Sequence, residues 1–341
     1  MSIEVRHDYP GLIINVVDQA ISLDFEIADG DVTYYLNGND VIFAQTTFDN
    51  FINARAGDDY VATGDGDDTV YGGGGDDELI GGGGSDMISG ETGGDMIYGD
   101  DGDDELHGGG GDDEMFGGAG ADRLFGETGD NRLSGDDGDD TVVGGGSNDV
   151  LSGGDDDDNM RGNQGDDALF GDAGDDVMRG SEGADYLSGG DGADELRGGK
   201  DDDILEGGAG VDQLRASFGD DELVGGLGAD ILGSGSGADE FGYYEAGDSG
   251  VGAAKRDTIT DFTQGLDYFY LTDLDAKTGG GDDDFTFIGT KAFTAAGQIH
   301  VKQSGADVLI EFNLDADKTA EMSILVQNQK ASAFDAGDFA L

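Results

Sequence analysis

Aspartate recurs on a nine-residue grid. Asp59, Asp68, Asp77, Asp86, Asp95, Asp104, Asp113, Asp122, Asp140, Asp149, Asp158, Asp167, Asp176, Asp185, Asp194, Asp203, Asp212, Asp221, Asp230 and Asp239 stand in phase, interrupted once by Asn131. Glycine-rich stretches separate them, as in "GGGGDDELI" at 72–80 and "GGGGSDMIS" at 81–89. A carboxylate is a hard oxygen ligand, and glycine lets a backbone bend until its carbonyl oxygens meet at one point. Roughly six to eight such oxygens are what calcium takes. The residue types and their spacing therefore point to calcium. The aspartate row supplies charged oxygens, and turn carbonyls such as those of Gly72, Gly75, Gly81, Gly84, Gly108 and Gly111 supply neutral ones.

The grid runs from Ala54 to Gly242 as 21 repeats over 189 residues, with no insertion or deletion. Position six is Asp in 20 repeats, and position eight is apolar in all 21, from Val61 through Leu79, Met115 and Leu187 to Phe241. Position four is Gly in 18, with Ser147, Asp156 and Asp201 as the departures. "GETG" at 90 and 126 and "GDDG" at 99 and 135 mark a longer, 36-residue period. Alternating strand geometry predicts three-residue strands with position eight inward and positions seven and nine outward. The six remaining residues predict a turn. Two repeats then make one coil of eighteen residues, odd repeats building one parallel sheet and even repeats the other, with strands ~4.8 Å apart. This stacking sets position six of one coil against position six of the next, Asp59 beside Asp77 and Asp68 beside Asp86. Without a counter-ion each row is a ladder of like charges. Up to about 19 intervals arise among 21 repeats, and 19 divalent ions would bring the formal net charge from −62 to about −24.

The whole chain has 341 residues, with 68 Gly, 78 Asp or Glu and only 16 Lys or Arg. Such an acidic chain repels phosphate backbones and anionic bilayer surfaces, so neither nucleic acid nor membrane insertion is expected as a partner. There is no Cys, so disulfides and thiolate metal sites do not arise. No run of about 18 apolar residues offers a transmembrane helix. The opening "MSIEVRHDYPGLIINVVDQA" lacks the basic region and unbroken apolar run of a secretory signal, since Asp8 and Asp18 flank "YPGLIINVV".

The nonapeptide GGxGxDxUx, U being a large apolar residue, resembles the RTX (repeats-in-toxin, haemolysin-type calcium-binding) family. The resemblance implies an all-β fold, a parallel β-roll (β-helix) solenoid that binds multiple calcium ions. Further on, "GDSG" (247–250), "DTITDF" (257–262) and "GLDYFYL" (265–271) are followed by the closing "FDAGDFAL", and together they resemble the C-terminal β-domain of serralysin-type secreted proteins. The aromatic "YFYL" departs from that pattern. This resemblance implies an uncleaved C-terminal signal read by a type I secretion exporter, and hence a secreted, extracellular protein without an N-terminal signal peptide. Three domains are expected: an N-terminal β cap at 1–53, the β-roll at 54–242 and a C-terminal β domain at 243–341. In the cap, "LIINVV" and "ISLDFEI" predict strands, and "VTYYLNGNDVIFAQ" predicts a hairpin turning at "NGND". His7 and Pro10 are placed in a loop.

Catalytic constellations are missing from the pattern. Ser249 in "GDSG" has no His–Asp–Ser layout around it, and the three His are too far apart for HExxH. "NLDADKTAEMSI" opens like an EF-hand loop, but Lys318 replaces its Gly and Ile324 its final Glu. With 53 residues ahead of the repeats, no enzyme domain is expected. The outward position nine of even repeats holds Arg161, Arg179, Arg197 and Arg215 in one row, preceded by Tyr71, His107 and Phe125. That row reads as charge relief within an acidic array or as a strip for an acidic polysaccharide. The other face carries Ile80, Tyr98, Phe116, Phe170 and Tyr186 outward. The expected role is a calcium-folded extracellular structural, adhesive or polysaccharide-binding protein. The alternative is an accessory or toxin-like protein acting on a host surface or assisting a secreted enzyme.

Overall fold

The computed structural model describes residues 2–6, 13–17, 24–28, 31–35, 38–245, 247–271, 274, 285–315 and 319–340. They fall in two compact parts, Met1–Gly171 and Asp172–Leu341. His7 and Pro10 lie outside the described residues. The described residues form strands and turns, with one short 3-10 turn at Ala336–Asp338 and no helix long and apolar enough to cross a membrane.

In the first part the repeats form a parallel solenoid with an eighteen-residue coil. Tyr60, Val61 and Ala62 pair with Glu78, Leu79 and Ile80, and these pair in turn with Met96, Ile97 and Tyr98. The even repeats build a second parallel ladder, in which Val70, Ile88, Leu106, Leu124, Val142 and Met160 follow one another. Every position-eight side chain of the 21 repeats is at most 1 % exposed. The strands are six residues long, not three, running from position seven through position three, as at Glu78–Gly83. Position one also faces inward, where Ala54, Thr63, Ala216 and Ser234 are buried. Each coil therefore has a core two residues wide along each strand. The chain bends because positions two and four take the left-handed conformation, as at Gly73 (φ 114°) and Gly75 (φ 128°). The position-four departures keep that conformation: Ser147, Asp156 and Asp201 have φ of 77°, 81° and 70°.

The solenoid begins before the grid does. The expected hairpin at 32–45 does not form. Asp31–Tyr35 pairs antiparallel with Asp24–Ala28 and parallel with Asn50–Asn53, whereas Val41–Thr46 pairs parallel with the strand at Tyr60. The two runs enter opposite sheets as an extra coil. Its register slips between Phe43 and Thr46, which hides it from a strict nine-residue grid. Ser2–Arg6 and Ile13–Val17 pair antiparallel with each other.

In the second part the ladders continue past Gly242. Thr258–Ile259 extends the even sheet and Tyr268–Tyr270 the odd one. Met322–Val326 and Phe339–Ala340 then cover their edges. Gln298–Ser304, Asp307–Asn313 and Met322–Val326 form an antiparallel meander. Phe241, Phe262, Phe269, Phe334 and Phe339 pack together with ring centroids 5.1–6.0 Å apart and close the interior. The departing "YFYL" fits this end, because Phe269 points inward while Tyr268 reaches Glu240.

Ser249 is buried in this closure. Its hydroxyl donates to the Ser323 carbonyl (2.8 Å) and accepts from the Asp257 N–H (2.9 Å). Ile324, at the place an EF-hand needs its Glu, is a core side chain. Removing the Ser249 hydroxyl strands one buried N–H and one carbonyl, each worth about 1–3 kcal/mol. Ser249→Ala is expected to destabilise the calcium-loaded protein by about 2 kcal/mol in denaturant titration, whereas Ser249→Thr is expected to retain part of the loss.

Candidate metal sites in the turns

Each position-six aspartate is built into the coil stack. All twenty are buried, at 0–3 % exposure. Within each part, Oδ1 accepts a backbone N–H from the position-six residue one coil earlier. Asp59 N–H donates to Asp77 (2.8 Å), Asp68 to Asp86 (2.7 Å), Asp104 to Asp122 (2.8 Å) and Asp194 to Asp212 (2.9 Å). The expected neighbours are neighbours, joined by a hydrogen bond as well as by repulsion. The ladder reaches beyond the grid at both ends. Asp40 donates to Asp59, Asp230 to Asp257 (3.0 Å) and Asp239 to Asp267 (3.3 Å). Asp257 thus takes the position-six place in the "DTITDF" segment. Asp261 in the same segment accepts from Ser234 and Gly235.

A second ladder runs the opposite way, and the nine-residue reading missed it. Position-five aspartates accept from the coil that follows: Gly94 N–H donates to Asp76 (3.0 Å), Asp130 to Asp112 (2.9 Å) and Asp220 to Asp202 (2.8 Å). These carboxylates are exposed. The signal was present, since position five is Asp in 12 of the 21 repeats.

The second oxygen of position six defines the site. Oδ2 of Asp59, Asp77, Asp104, Asp140 and Asp212 is buried and has no hydrogen-bond partner. It lies against the position-one glycine of its own repeat. A methyl on Gly72 would overlap Asp77 Oδ2 and lie 3.1 Å from the Gly90 carbonyl oxygen, one coil on. A methyl on Gly81 would overlap Asp86 Oδ2, 3.0 Å from the Gly99 carbonyl, and one on Gly90 would overlap Asp95 Oδ2, 2.8 Å from the Gly108 carbonyl. Position one is glycine to leave room, not to reach a left-handed φ. Position-four carbonyls, including those of Gly75, Gly84 and Gly111, crowd the position-four glycines of the next coil at Gly93, Gly102 and Gly129. At Thr63, the one position-one threonine, the hydroxyl donates to the Gly81 carbonyl. The turn thus gathers main-chain carbonyl oxygens around one unpartnered carboxylate oxygen, a donor set suited to a hard cation. Among the described residues no three His, Cys, Asp or Glu side chains form a metal cluster. Each such turn offers one buried carboxylate, from position six, and main-chain carbonyls.

Burial is the first cause of what these carboxyls do to protons. It pushes Asp77, Asp86, Asp113, Asp140, Asp149 and Asp212 up to about 7, Asp203 to about 8, and Asp59, Asp104, Asp122 and Asp167 to about 6. The N–H from the previous coil pulls each value back down. Neighbouring aspartates push it further up.

On the outer face, Arg179, Arg197 and Arg215 sit opposite one another on adjacent strands, and Arg161 lies beside Val143 in the first part. Glu195 pairs with Arg197 and lies 3.5 Å from Arg215. Further along the row, His107 stacks on Phe125 (4.9 Å) between Glu105 (3.1 Å) and Glu127 (3.2 Å). On the other face Tyr98 stacks on Phe116 (5.2 Å).

The RTX calcium-binding nonapeptide repeat model matches residues 45–79, 80–115, 116–151, 143–178, 152–187, 179–214 and 206–241, and the chain belongs to this family. No curated protein matches it. Among solved structures it is similar to the R3 subunit of the Azotobacter vinelandii mannuronan C5-epimerase, at 24% identity over 44% of this chain and 78% of that one, with a TM-score of 0.34. The R2 subunit of the same enzyme is 26% identical over 49% of this chain and 88% of that one, with a TM-score of 0.31.

The raised carboxyls fix the sign of the pH dependence without metal. A folded value above the ordinary 3.8 means that the native state holds protons the unfolded chain releases. This contribution is fully present below about 4 and is lost as pH rises through about 6 to 8. In chelator, thermal melts are therefore expected to show the fold gaining stability from pH 8 to pH 5. With calcium the trend is expected to reverse, because protons compete for the same oxygens. Melts insensitive to pH in chelator would contradict the burial of Oδ2.

Proposed function

We propose that this RTX-family chain is an exported protein whose fold is assembled by calcium outside the cell, where it serves as a non-enzymatic structural, adhesive or polysaccharide-binding protein. One observation carries the reading: in turn after turn a buried carboxylate oxygen has no partner and faces main-chain carbonyls. Where calcium is scarce, a chain of net charge −62 repels itself and stays extended, a form suited to threading through a type I exporter. Outside, weak sites suffice. Extracellular modules bind calcium at ~10⁻⁴–10⁻³ M, and a site at ten times its dissociation constant stabilises the fold by about 1.4 kcal/mol. The segment that resembles a secretion signal supports the same order of events. Phe334 and Phe339 are buried, and Phe339–Ala340 is paired with Tyr268–Tyr270, so an exporter would meet this signal only on an unfolded chain. At pH 8, circular dichroism is expected to show a coil in chelator and β structure with millimolar calcium. A β spectrum in chelator at pH 8 would refute the proposal.

The in-register Arg179, Arg197 and Arg215 favour one finer reading within it, a strip that holds an acidic polysaccharide. Replacing Arg161, Arg179, Arg197 and Arg215 together with Ser is expected to abolish retention on an immobilised acidic polysaccharide while leaving calcium-induced folding intact. Unchanged retention would remove the polysaccharide from the proposal.

A further inference from the structure

Two turns carry an amide where the others carry a carboxylate, and the amide does what a bound cation would have to do. Asn131 is 2 % exposed. Its Oδ1 accepts the Asp113 N–H (3.0 Å), as an aspartate would. Its Nδ2 donates to the Gly129 carbonyl (3.1 Å), position four of its own turn. Asn50, one repeat ahead of the grid, repeats the bond: its Nδ2 donates to the Phe48 carbonyl (2.8 Å), the equivalent position.

The two kinds of side chain occupy one cradle. A methyl on Gly126 would lie 2.6 Å from Asn131 Nδ2 and 2.6 Å from the Gly144 carbonyl. A methyl on Gly135 would overlap Asp140 Oδ2 and lie 2.7 Å from the Gly153 carbonyl. The same spot therefore holds an N–H donor in one coil and a carboxylate oxygen in another, with carbonyl oxygens around both. The donor satisfies that surrounding. The carboxylate oxygen adds to the crowding of negative partial charge, and a buried acceptor in that position is costly.

We propose that the Asn50 and Asn131 amides take the place of calcium in their turns, making one metal-independent rung in each of two ladders whose other rungs need the ion. The proposal rests on the calcium-assembled reading above. In a solenoid each coil adds to the one beside it, so a turn that closes without metal is a place where coils start. Asn50 stands at the start of one ladder, donating to Asp68, and Asn131 stands within the other, with Asp113 and Asp149 as its partners on either side.

Native mass spectrometry of the full-length protein, saturated with calcium, tests this by counting ions, and a calcium titration followed by circular dichroism gives the folding midpoint. Asn131→Asp is expected to bind one calcium more than the wild type and to fold at a higher calcium midpoint. Asp140→Asn is expected to bind one fewer and to fold at a lower midpoint. If the wild type binds calcium but both variants carry its ion count, the proposal is overturned. Should Asn131→Asp not fold, an unchanged count in Asp140→Asn is sufficient to overturn it. A wild type that binds no calcium would overturn the calcium-assembled reading itself.

Discussion

The structure depends on a carboxylate shared between coils. One oxygen of each position-six aspartate takes an N–H from the coil before, which ties adjacent turns together with a charge-assisted bond. The other oxygen is turned inward, against the position-one glycine and a carbonyl of the coil after. A buried charge of that kind is tolerated only when something positive answers it. The groups that make the chain so acidic are thus also its means of stacking. The glycines divide the work. Position one gives the carboxylate room, whereas positions two and four supply the left-handed bends that aim carbonyls along the stack.

Much of this was legible because a solenoid repeats its contacts at a constant spacing. The inward position eight, the eighteen-residue coil and the adjacency of Asp59 with Asp77 all follow from the period. Part of what escaped lay where the spacing changes. Asp40 meets Asp59 at nineteen residues, Asp230 meets Asp257 at 27 and Asp239 meets Asp267 at 28, so a strict grid stops at Ala54 and Gly242. "NGND" is a strong local hairpin signal, but the parallel partners at Tyr60 and Asn50 outcompete it. The six-residue strands were hidden because glycine is read as a turn residue. Here it remains in the ladder while bending.

The C-terminal motifs change meaning in the same way. In sequence, Ser249 stands in a "GDSG" segment with no catalytic layout around it. In the fold, Asp248 accepts from Tyr244 and Glu245, and Ser249 clasps Asp257 to Ser323. Asp257 in turn continues the aspartate ladder into a coil lengthened by an insertion. Polar residues here make the last coil a faithful copy of the coils before it, and the phenylalanine cluster then covers its open side.

Because one coil is two repeats, the array can change length only in certain steps. Excising eighteen residues within either part joins equivalent positions and leaves every downstream strand on its own face. Excising nine sends each of them to the opposite face, so that outward rows such as Tyr98–Phe116 would be cut and spliced onto rows of another character. The 36-residue echo of "GETG" at 90 and 126 is two whole coils. Recombination at that interval adds or removes coils without creating a single new kind of junction.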